Sequence, residues 1–249
     1  MNSTSLAVAV RAEAGNMPAV LARPTDDGSY PAVIVVHEAF GPNAHISDVA
    51  ARLAGEGYVT LAPDLYYREQ KGAGYDDLQE AIRLMMTLRD DTIVQDMAAA
   101  ITYLQQQPFV RAERIGVMGF CMGGRIAFLT ACLNPAVKAG VPFYGGGIAS
   151  MTQPSTATRA PLDCAERLTA PLLLFFGEND AFIPRDEVDR IRERLAALGK
   201  DATIVVYPGA PHGFFCDQRD AYRPDAARDA WQRLLEFFAC RLKRDTVSP

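Results

Sequence analysis

One short segment of the sequence combines a reactive side chain with an unusual set of glycines. Gly119, Cys121 and Gly123 form the pattern G-x-C-x-G directly after the apolar run Ile115–Met118. This pattern is typical of a nucleophile elbow, a sharp turn between a strand and a helix that exposes the central side chain. The glycines are needed because side chains there would collide with the sheet and the helix. Cys121 would lie at the N-terminus of that helix, which favours a negatively charged sulfur.

Two other interpretations of this segment are weaker. A buried, unreactive cysteine in a strand–helix turn would need no flanking glycines. A dinucleotide-binding loop needs the spacing G-x-G-x-x-G, which Gly116, Gly119, Gly123 and Gly124 do not provide. The pattern therefore favours Cys121 as a nucleophile.

A cysteine nucleophile needs a base, and the base needs an acid that orients it. His212 lies in the loop that follows the apolar run Ala202–Tyr207, and Asp180 lies in the loop that follows Pro171–Phe176. The chain order nucleophile, acid, histidine is the order of α/β-hydrolase triads. We therefore expect a triad of Cys121, Asp180 and His212, with Glu178 as the alternative acid.

The loop after the first long apolar run, Pro31–Val36, begins with His37 and Glu38. A zinc site is rejected because the second histidine of H-E-x-x-H is missing. In hydrolases with a nucleophile elbow, this loop supplies one N–H of the oxyanion hole, and the residue after the nucleophile supplies the other. These donors would be the backbone N–H groups of Ala39 and Met122. His37 itself is interpreted as a hydrogen-bonded structural residue.

These side chains can meet only if a sheet brings several loops to one edge. Six apolar runs of strand length are separated by segments with helical spacing, and such runs are typical of parallel strands covered on both faces by helices. The sequence therefore predicts one α/β domain over residues 1–249, with an antiparallel hairpin at about 5–23 and a core at about 30–240. The six runs are Pro31–Val36, Tyr58–Ala62, Ile115–Met118, Ala139–Tyr144, Pro171–Phe176 and Ala202–Tyr207.

Composition excludes several classes of protein. Hydrophobic residues make up 49% of the 249 residues and charged residues 22%, which excludes disordered and fibrous proteins. The net charge is −5 without any block of like charge, so we expect no nucleic-acid or membrane partner. Five cysteines without a C-x-x-C pair, and an N-terminus unlike a signal peptide, favour a reduced, cytoplasmic protein.

Taken together, these segments resemble the dienelactone hydrolase family. The likeness extends from about residue 18 to 240. It is carried by Gly119-Phe-Cys-Met-Gly-Gly124, His37-Glu-Ala-Phe-Gly41, Pro63-Asp-Leu-Tyr66, Glu178-Asn-Asp180 and Pro211-His-Gly-Phe214.

The resemblance implies an α/β-hydrolase fold with about eight mostly parallel strands and no large lid. It implies a carboxymethylenebutenolidase-like enzyme that needs no cofactor or metal and cleaves lactones or activated esters. It also implies the triad Cys121–His212–Asp180. Glu38 matches the glutamate that in this family contacts the nucleophile and responds to substrate binding.

The sequence departs from the family at the residues that would bind the substrate. Enzymes that open dienelactone use two arginines to hold the substrate carboxylate, and this chain has Cys216 and Leu78 at those positions. Arg125 and Arg219 lie nearby in the sequence and are the candidates to replace the two missing arginines. The alternative interpretation is that Arg125 and Arg219 are ordinary solvent-exposed arginines.

The expected substrate is a small ester or lactone in a compact pocket. Four aromatic residues are candidates for its wall, with simple core packing as an equal alternative: Phe40, Tyr66, Tyr144 and Phe214. We expect no partner other than this small molecule and, at most, a second copy of the chain, so the protein would be a monomer or a homodimer.

Two other classes of function stay open at this point. A thiol redox protein would pair Cys121 with a resolving cysteine such as Cys216. A non-catalytic binding protein would keep the fold without using the triad.

Overall fold

Eight strands form the core of the protein, whose computed structural model describes residues 1–69, 77–150 and 159–243. The predicted hairpin and all six apolar runs are confirmed as strands. In chain order the strands are β1 (Ser3–Ala12), β2 (Gly15–Pro24), β3 (Tyr30–Val36), β4 (Val59–Pro63), β5 (Val110–Phe120), β6 (Val137–Phe143), β7 (Leu172–Gly177) and β8 (Ala202–Tyr207).

The strands lie in one sheet in the order β1-β2-β4-β3-β5-β6-β7-β8. β1 and β2 form the antiparallel hairpin, β2 also pairs antiparallel with β4, and the six strands from β3 to β8 run parallel to one another. β5 begins five residues before the predicted run Ile115–Met118, because its first half, Val110–Arg114, contains charged and partly exposed residues. Only the buried second half of β5 gives a continuous apolar signal.

Helices flank this sheet, as the alternating pattern predicts. α4 packs on β5 and β6, and α1 packs on β2 and β4. No helix in the described ranges combines the length and the hydropathy that crossing a membrane requires. The helices are α1 (Ala44–Gly55), α2 (Leu78–Met85), α3 (Asp90–Gln105), α4 (Met122–Leu133), α5 (Arg185–Ala197) and α6 (Pro224–Phe238), with short helical turns at Tyr67–Glu69, Pro161–Arg167 and Ala239–Lys243.

The register of the parallel strands aligns their carboxyl ends. Val36 of β3 lies opposite Gly119 of β5, and Phe120 lies opposite Phe143 of β6. At the other side of the sheet, β7 and β8 end together at Gly177 and Tyr207. The loops that follow β3, β5, β6, β7 and β8 therefore meet at one edge, where open α/β sheets bind their ligands.

Close backbone packing explains the glycines of the elbow. A Cβ atom on Gly119 would lie 2.2 Å from the carbonyl oxygen of Gly123, and one on Gly123 would lie 2.4 Å from the carbonyl oxygen of Val36. A Cβ on Gly124 would lie 2.4 Å from the carbonyl oxygen of Phe143. Each obstructing atom is backbone, so it cannot move aside as a flexible side chain would. The glycines let α4 approach β3, β5 and β6 directly.

A methyl group at Gly119 is therefore expected to destabilise the protein strongly. Gly119→Ala should cost about 3 kcal/mol or more, at the upper end of overpacking effects. The matched control is Gly55→Ala at the end of α1, where the nearest atom to the new Cβ is 3.9 Å away. That variant should stay within about 0.5 kcal/mol of wild type in urea unfolding. Equal stability of the two variants would contradict this packing.

Candidate active site

Cys121 is held in a conformation that few residues adopt. Its backbone angles are φ 53° and ψ −119°, directly before the first residue of α4. Its N–H donates to the carbonyl oxygen of Phe143 at 3.0 Å, and its own carbonyl oxygen accepts from the N–H of Gly124 at 2.9 Å. A non-glycine residue at such angles costs on the order of 1–3 kcal/mol. The surrounding hydrogen bonds and glycine contacts maintain this strain, and the thiol remains half-buried rather than enclosed.

Asp180 and His212 form a directly bonded pair. His212 Nδ1 lies 2.7 Å from Asp180 Oδ2. The other carboxylate oxygen, Oδ1, accepts hydrogen bonds from the backbone N–H groups of Phe182 at 2.8 Å and Ile183 at 3.1 Å. The side chain of Asp180 is fully buried, so these contacts replace water and fix the carboxylate towards the imidazole.

The acid loop and the histidine loop are joined to each other. The N–H of Asn179 donates to the carbonyl oxygen of Ala210 at 3.0 Å. A Cβ on Gly177 would lie 2.3 Å from that same oxygen, so the two loops touch through backbone. Glu178, the alternative acid, is exposed and accepts from the N–H of Gly209 at 3.0 Å. Asp180, and not Glu178, therefore contacts the histidine.

The environment of His212 favours its protonated form. Burial alone would lower its pKa, but hydrogen bonds to Asp180 and Cys121 and the charges of those two groups raise the pKa to about 10. The imidazole therefore links the carboxylate to the sulfur. The three residues of the expected triad, Cys121, Asp180 and His212, lie together in this way at one edge of the sheet.

His37 has a different role. Its Nδ1 donates to the carbonyl oxygen of Glu38 at 2.7 Å, and its Nε2 accepts from the N–H of Leu65 at 3.1 Å. These two partners define the tautomer, since a carbonyl can only accept and an N–H can only donate. Burial lowers the pKa of His37 to about 4, so the ring is neutral. It holds the β3 and β4 loops together.

The candidate oxyanion donors lie beside this structural core. Met122 is the first residue of α4, so its N–H has no acceptor within the helix. The N–H of Ala39 also has no acceptor among the described residues. The Tyr66 hydroxyl lies 2.9 Å from the carbonyl oxygen of Ala39 and 3.5 Å from Met122 Sδ. Tyr66 therefore ties together the two segments whose N–H groups could bind an oxyanion.

Glu38 is paired with Arg219, one of the two arginines that were candidates to bind a substrate carboxylate. Arg219 Nη2 lies 2.6 Å from Glu38 Oε2. The carboxylate side chain is only 2% exposed, and neither of its oxygens has an aligned hydrogen-bond donor in the described part of the chain. The Arg219 guanidinium also stacks over the ring of Phe40, 4.1 Å from its centroid. Glu38 is therefore desolvated and paired with Arg219, whereas the resemblance implies a contact with Cys121.

Tyr144 is a second strained residue at this edge. It follows β6 with φ 36°, and its ring lies edge-on to His212 at 5.0 Å. Its hydroxyl is buried and has no hydrogen-bond partner within the described ranges. Burial, followed by the charges of Glu38 and Cys121, raises the pKa of this phenol well above its usual value. The hydroxyl therefore stays protonated.

Three of the four candidate pocket aromatics are not at the surface. Tyr66, Tyr144 and Phe214 are each at most 1% exposed, so they support the site from below and do not form its rim. Phe40 is half-buried. This corrects the expectation of an aromatic rim built from all four. The alternation of strands and helices and the position of a residue in a loop cannot distinguish an aromatic side chain below a site from one at its opening.

The expectation that Arg125 binds the substrate is also wrong. Its guanidinium is 5% exposed and forms two bonds to the Asp90 carboxylate, at 2.6 and 2.8 Å. Its Nε donates to the carbonyl oxygen of Gly147 at 3.3 Å. The pair joins α3 to α4, and this buried ion pair occupies the donors that a substrate would need. Sequence reasoning missed Asp90, because an acidic residue at a helix start is common and carries no sign of its partner.

The fold and the arrangement of these loops define an α/β-hydrolase. A family model described as "Dienelactone hydrolase family" matches residues 17–242 of this chain. The chain belongs to the dienelactone hydrolase family, and it is a hydrolase of the type that acts on ester bonds.

Similar proteins support this membership. The chain is 43% identical to a "Putative carboxymethylenebutenolidase" of Synechocystis sp., over 90% of this chain and 91% of that protein. It is 37% identical to a "Probable 2-oxo-3-(5-oxofuran-2-ylidene)propanoate lactonase" of Bradyrhizobium sp., over 90% of this chain and 89% of that protein. The crystal structure of a "Putative Dienelactone Hydrolase" from Klebsiella pneumoniae superposes with a TM-score of 0.87 at 39% identity, covering 96% of this chain and 99% of that one.

The interaction of His212 with the thiol predicts that removing the thiol changes the pKa of His212. Replacing Cys121 by alanine removes a hydrogen bond and a charge that both raise the pKa of His212. In Cys121→Ala, the imidazole should therefore titrate at a lower pH than in wild type, where it titrates at about 10. NMR of labelled histidine measures both midpoints. His37 is the internal control and should stay neutral above pH 5 in both proteins. An unchanged midpoint for His212 would mean that it does not bond to Cys121.

Proposed function

We propose that this protein hydrolyses small lactones or activated esters through a thioester formed on Cys121. One observation carries the proposal: the imidazole of His212 is bonded both to a buried carboxylate and to the thiol of a strained elbow residue. This combination supplies a nucleophile, a base and a group that orients the base.

In the first half of the reaction, the thiol proton already rests on His212, the form that the site favours, and the sulfur of Cys121 attacks the ester carbonyl. The carbonyl oxygen becomes an oxyanion, which the N–H groups of Ala39 and Met122 can stabilise. Collapse of this intermediate breaks the bond to the alcohol oxygen, and His212 gives its proton to that oxygen. Asp180 keeps Nδ1 protonated throughout, so that Nε2 is the atom that accepts and returns the proton.

In the second half, His212 takes a proton from water, and the resulting hydroxide attacks the thioester carbonyl. The carbon–sulfur bond breaks, the acid is released, and the proton on His212 returns to the sulfur of Cys121. The balance requires only substrate and water, so no cofactor enters the scheme. The strained position of Cys121 at the N-terminus of α4 favours both attack by the sulfur and its departure.

The substrate is expected to carry an acyl group small enough for the space between the loops. Arg219 is the candidate to meet a substrate carboxylate, since its side chain is 31% exposed while it holds Glu38. The Bradyrhizobium relative that is named a lactonase supports a lactone as one substrate class. We further propose a cytoplasmic enzyme, monomeric or dimeric, since all five cysteines are free thiols.

The two other functions have less support. A resolving cysteine should be accessible and readily ionised, but Cys216 is buried and burial raises its pKa. A non-catalytic binding protein would gain nothing from a buried, fully bonded Asp180 or from backbone strain at Cys121.

The role of Cys121 is tested by its removal and by its reactivity. Cys121→Ala should abolish hydrolysis of p-nitrophenyl acetate, because no other group at the elbow can form the thioester. Stoichiometric iodoacetamide should label Cys121 before Cys240, although Cys240 is the more exposed thiol. Cys240→Ala is the matched control and should keep full activity. Most of the wild-type activity in Cys121→Ala, or preferential labelling of Cys240, would exclude Cys121 as the nucleophile.

The Glu38–Arg219 pair predicts opposite effects on charged substrates. The test compares mono-p-nitrophenyl succinate with the neutral p-nitrophenyl butyrate. Arg219→Gln should raise KM for the succinate by about tenfold, because a charge-assisted contact is worth roughly 1.5–3 kcal/mol. Glu38→Gln should lower kcat for both esters but lower KM for the succinate, since Arg219 loses its competing carboxylate. Thermal unfolding of Glu38→Gln should change little, since Arg219 can turn to water, whereas Arg219→Gln leaves a buried carboxylate without its partner and should unfold at a lower temperature.

If both variants left kcat and the ratio of the two KM values at wild-type values, Glu38 and Arg219 would be structural only. Arg228→Gln is a suitable reference variant, because it removes an arginine that is 76% exposed and pairs with Asp225, not with Glu38.

A further inference from the structure

Phe182 is an aromatic residue in an unusual place. Its side chain is 75% exposed, more than any other large apolar side chain among the described residues. It lies in the acid loop, two residues after Asp180. A single exposed phenylalanine is common on protein surfaces, so its exposure alone indicates nothing, but this ring also lies beside the imidazole of His212. Sequence reasoning did not select it, because a single aromatic residue in a loop gives no signal.

The position of this ring is fixed by the triad itself. The backbone N–H of Phe182 donates to Asp180 Oδ1 at 2.8 Å, and the following residue, Ile183, is buried and donates to the same oxygen. The ring of Phe182 lies edge-on to the imidazole of His212, with 5.2 Å between centroids and 78° between planes. The ring is therefore both exposed to solvent and in contact with the residue that transfers protons.

The chemistry determines which part of a substrate would lie there. His212 must protonate the oxygen of the departing alcohol, so this alcohol must lie next to the imidazole. The ring of Tyr144 also lies edge-on to the imidazole, but it is fully buried and presents no surface to solvent. The exposed ring of Phe182 is thus the apolar surface nearest to the leaving group.

We propose that Phe182 is a specificity-determining residue that binds an apolar, preferentially aryl, leaving group of the ester. In a lactone, the ring carbons that bear the leaving oxygen take the same position. The contact would be an offset or edge-to-face pair, the arrangement that aromatic rings prefer. This inference rests on the proposed ester hydrolysis, and it adds the chemical class of the alcohol side of the substrate.

Three acetate-type esters separate the leaving-group side from the acyl side. Phenyl acetate carries its ring on the leaving group, 2,2,2-trifluoroethyl acetate carries no ring, and 2,2,2-trifluoroethyl phenylacetate carries its ring on the acyl group. Phe182→Ala should raise KM for phenyl acetate by about tenfold, the size typical for losing one apolar contact in a pocket. Its kcat should change little, since such a contact is the same in ground and transition states.

KM for both trifluoroethyl esters should stay within about twofold of wild type, since neither places a ring on the leaving side. Phe182→Leu should fall between wild type and Phe182→Ala for phenyl acetate. The matched control is Leu6→Ala, which removes a 44% exposed apolar side chain from β1, at the opposite edge of the sheet. It should leave all three esters unaffected.

Two results would overturn the proposal. An equal loss on all three esters, with lower kcat, would mean that Phe182 only supports His212. A loss confined to the phenylacetate ester would place the ring on the acyl side.

Binding without turnover keeps this inference separate from the proposed function. Phenol, the product of phenyl acetate, should slow the alkylation of Cys121 by iodoacetamide in wild type, and about tenfold more phenol should be needed in Phe182→Ala. If wild type hydrolysed none of the esters, the proposed function would fail. The protection of Cys121 by phenol would still show whether Phe182 forms an aryl-binding site. Equal protection in the two proteins would overturn the aryl site.

Discussion

The backbone strain at Cys121 is the constraint on which the rest of this structure depends. The residue can keep its positive φ only because Gly119, Gly123 and Gly124 let β5 and α4 pack against their neighbours through bare backbone. The same packing brings the end of β3 against the elbow, since a Cβ on Gly123 would collide with the carbonyl oxygen of Val36. The elbow and the loop after β3 therefore form one rigid unit, and both candidate oxyanion donors belong to it.

A second rigid unit carries the acid and the base. The loops after β7 and β8 are joined through Asn179 and Ala210, and Asp180 uses one carboxylate oxygen for its own loop and the other for His212. His212 then bonds to the sulfur, so it is the only triad member that touches both units. In the proposed mechanism, the proton is transferred at this junction. The same loop presents Phe182 to solvent, at the position proposed for the leaving group.

The sequence was sufficient for features that depend on local geometry. Glycine spacing around Cys121, apolar runs of strand length and the loop positions of Asp180 and His212 were enough to predict the turn at Cys121, the sheet and the edge at which the three candidate triad residues lie, because each depends on local sequence and on the direction of parallel strands. Long-range side-chain pairing was not accessible in this way. Arg125 was expected at the substrate but pairs with Asp90, and Arg219 pairs with Glu38. The burial of Tyr144 and the exposure of Phe182 likewise depend on which helices and loops cover them.

An acyl group attached to Cys121 is the most direct consequence of the proposed mechanism. Wild-type protein mixed with p-nitrophenyl acetate and quenched in acid within the first turnovers can be digested and analysed by peptide mass spectrometry. The mechanism predicts an acetyl group on the peptide that contains Cys121, present during turnover and lost once the ester is consumed. Turnover without any acetylated Cys121, or with the acetyl group on another residue that is lost at the rate of turnover, would contradict the thioester mechanism.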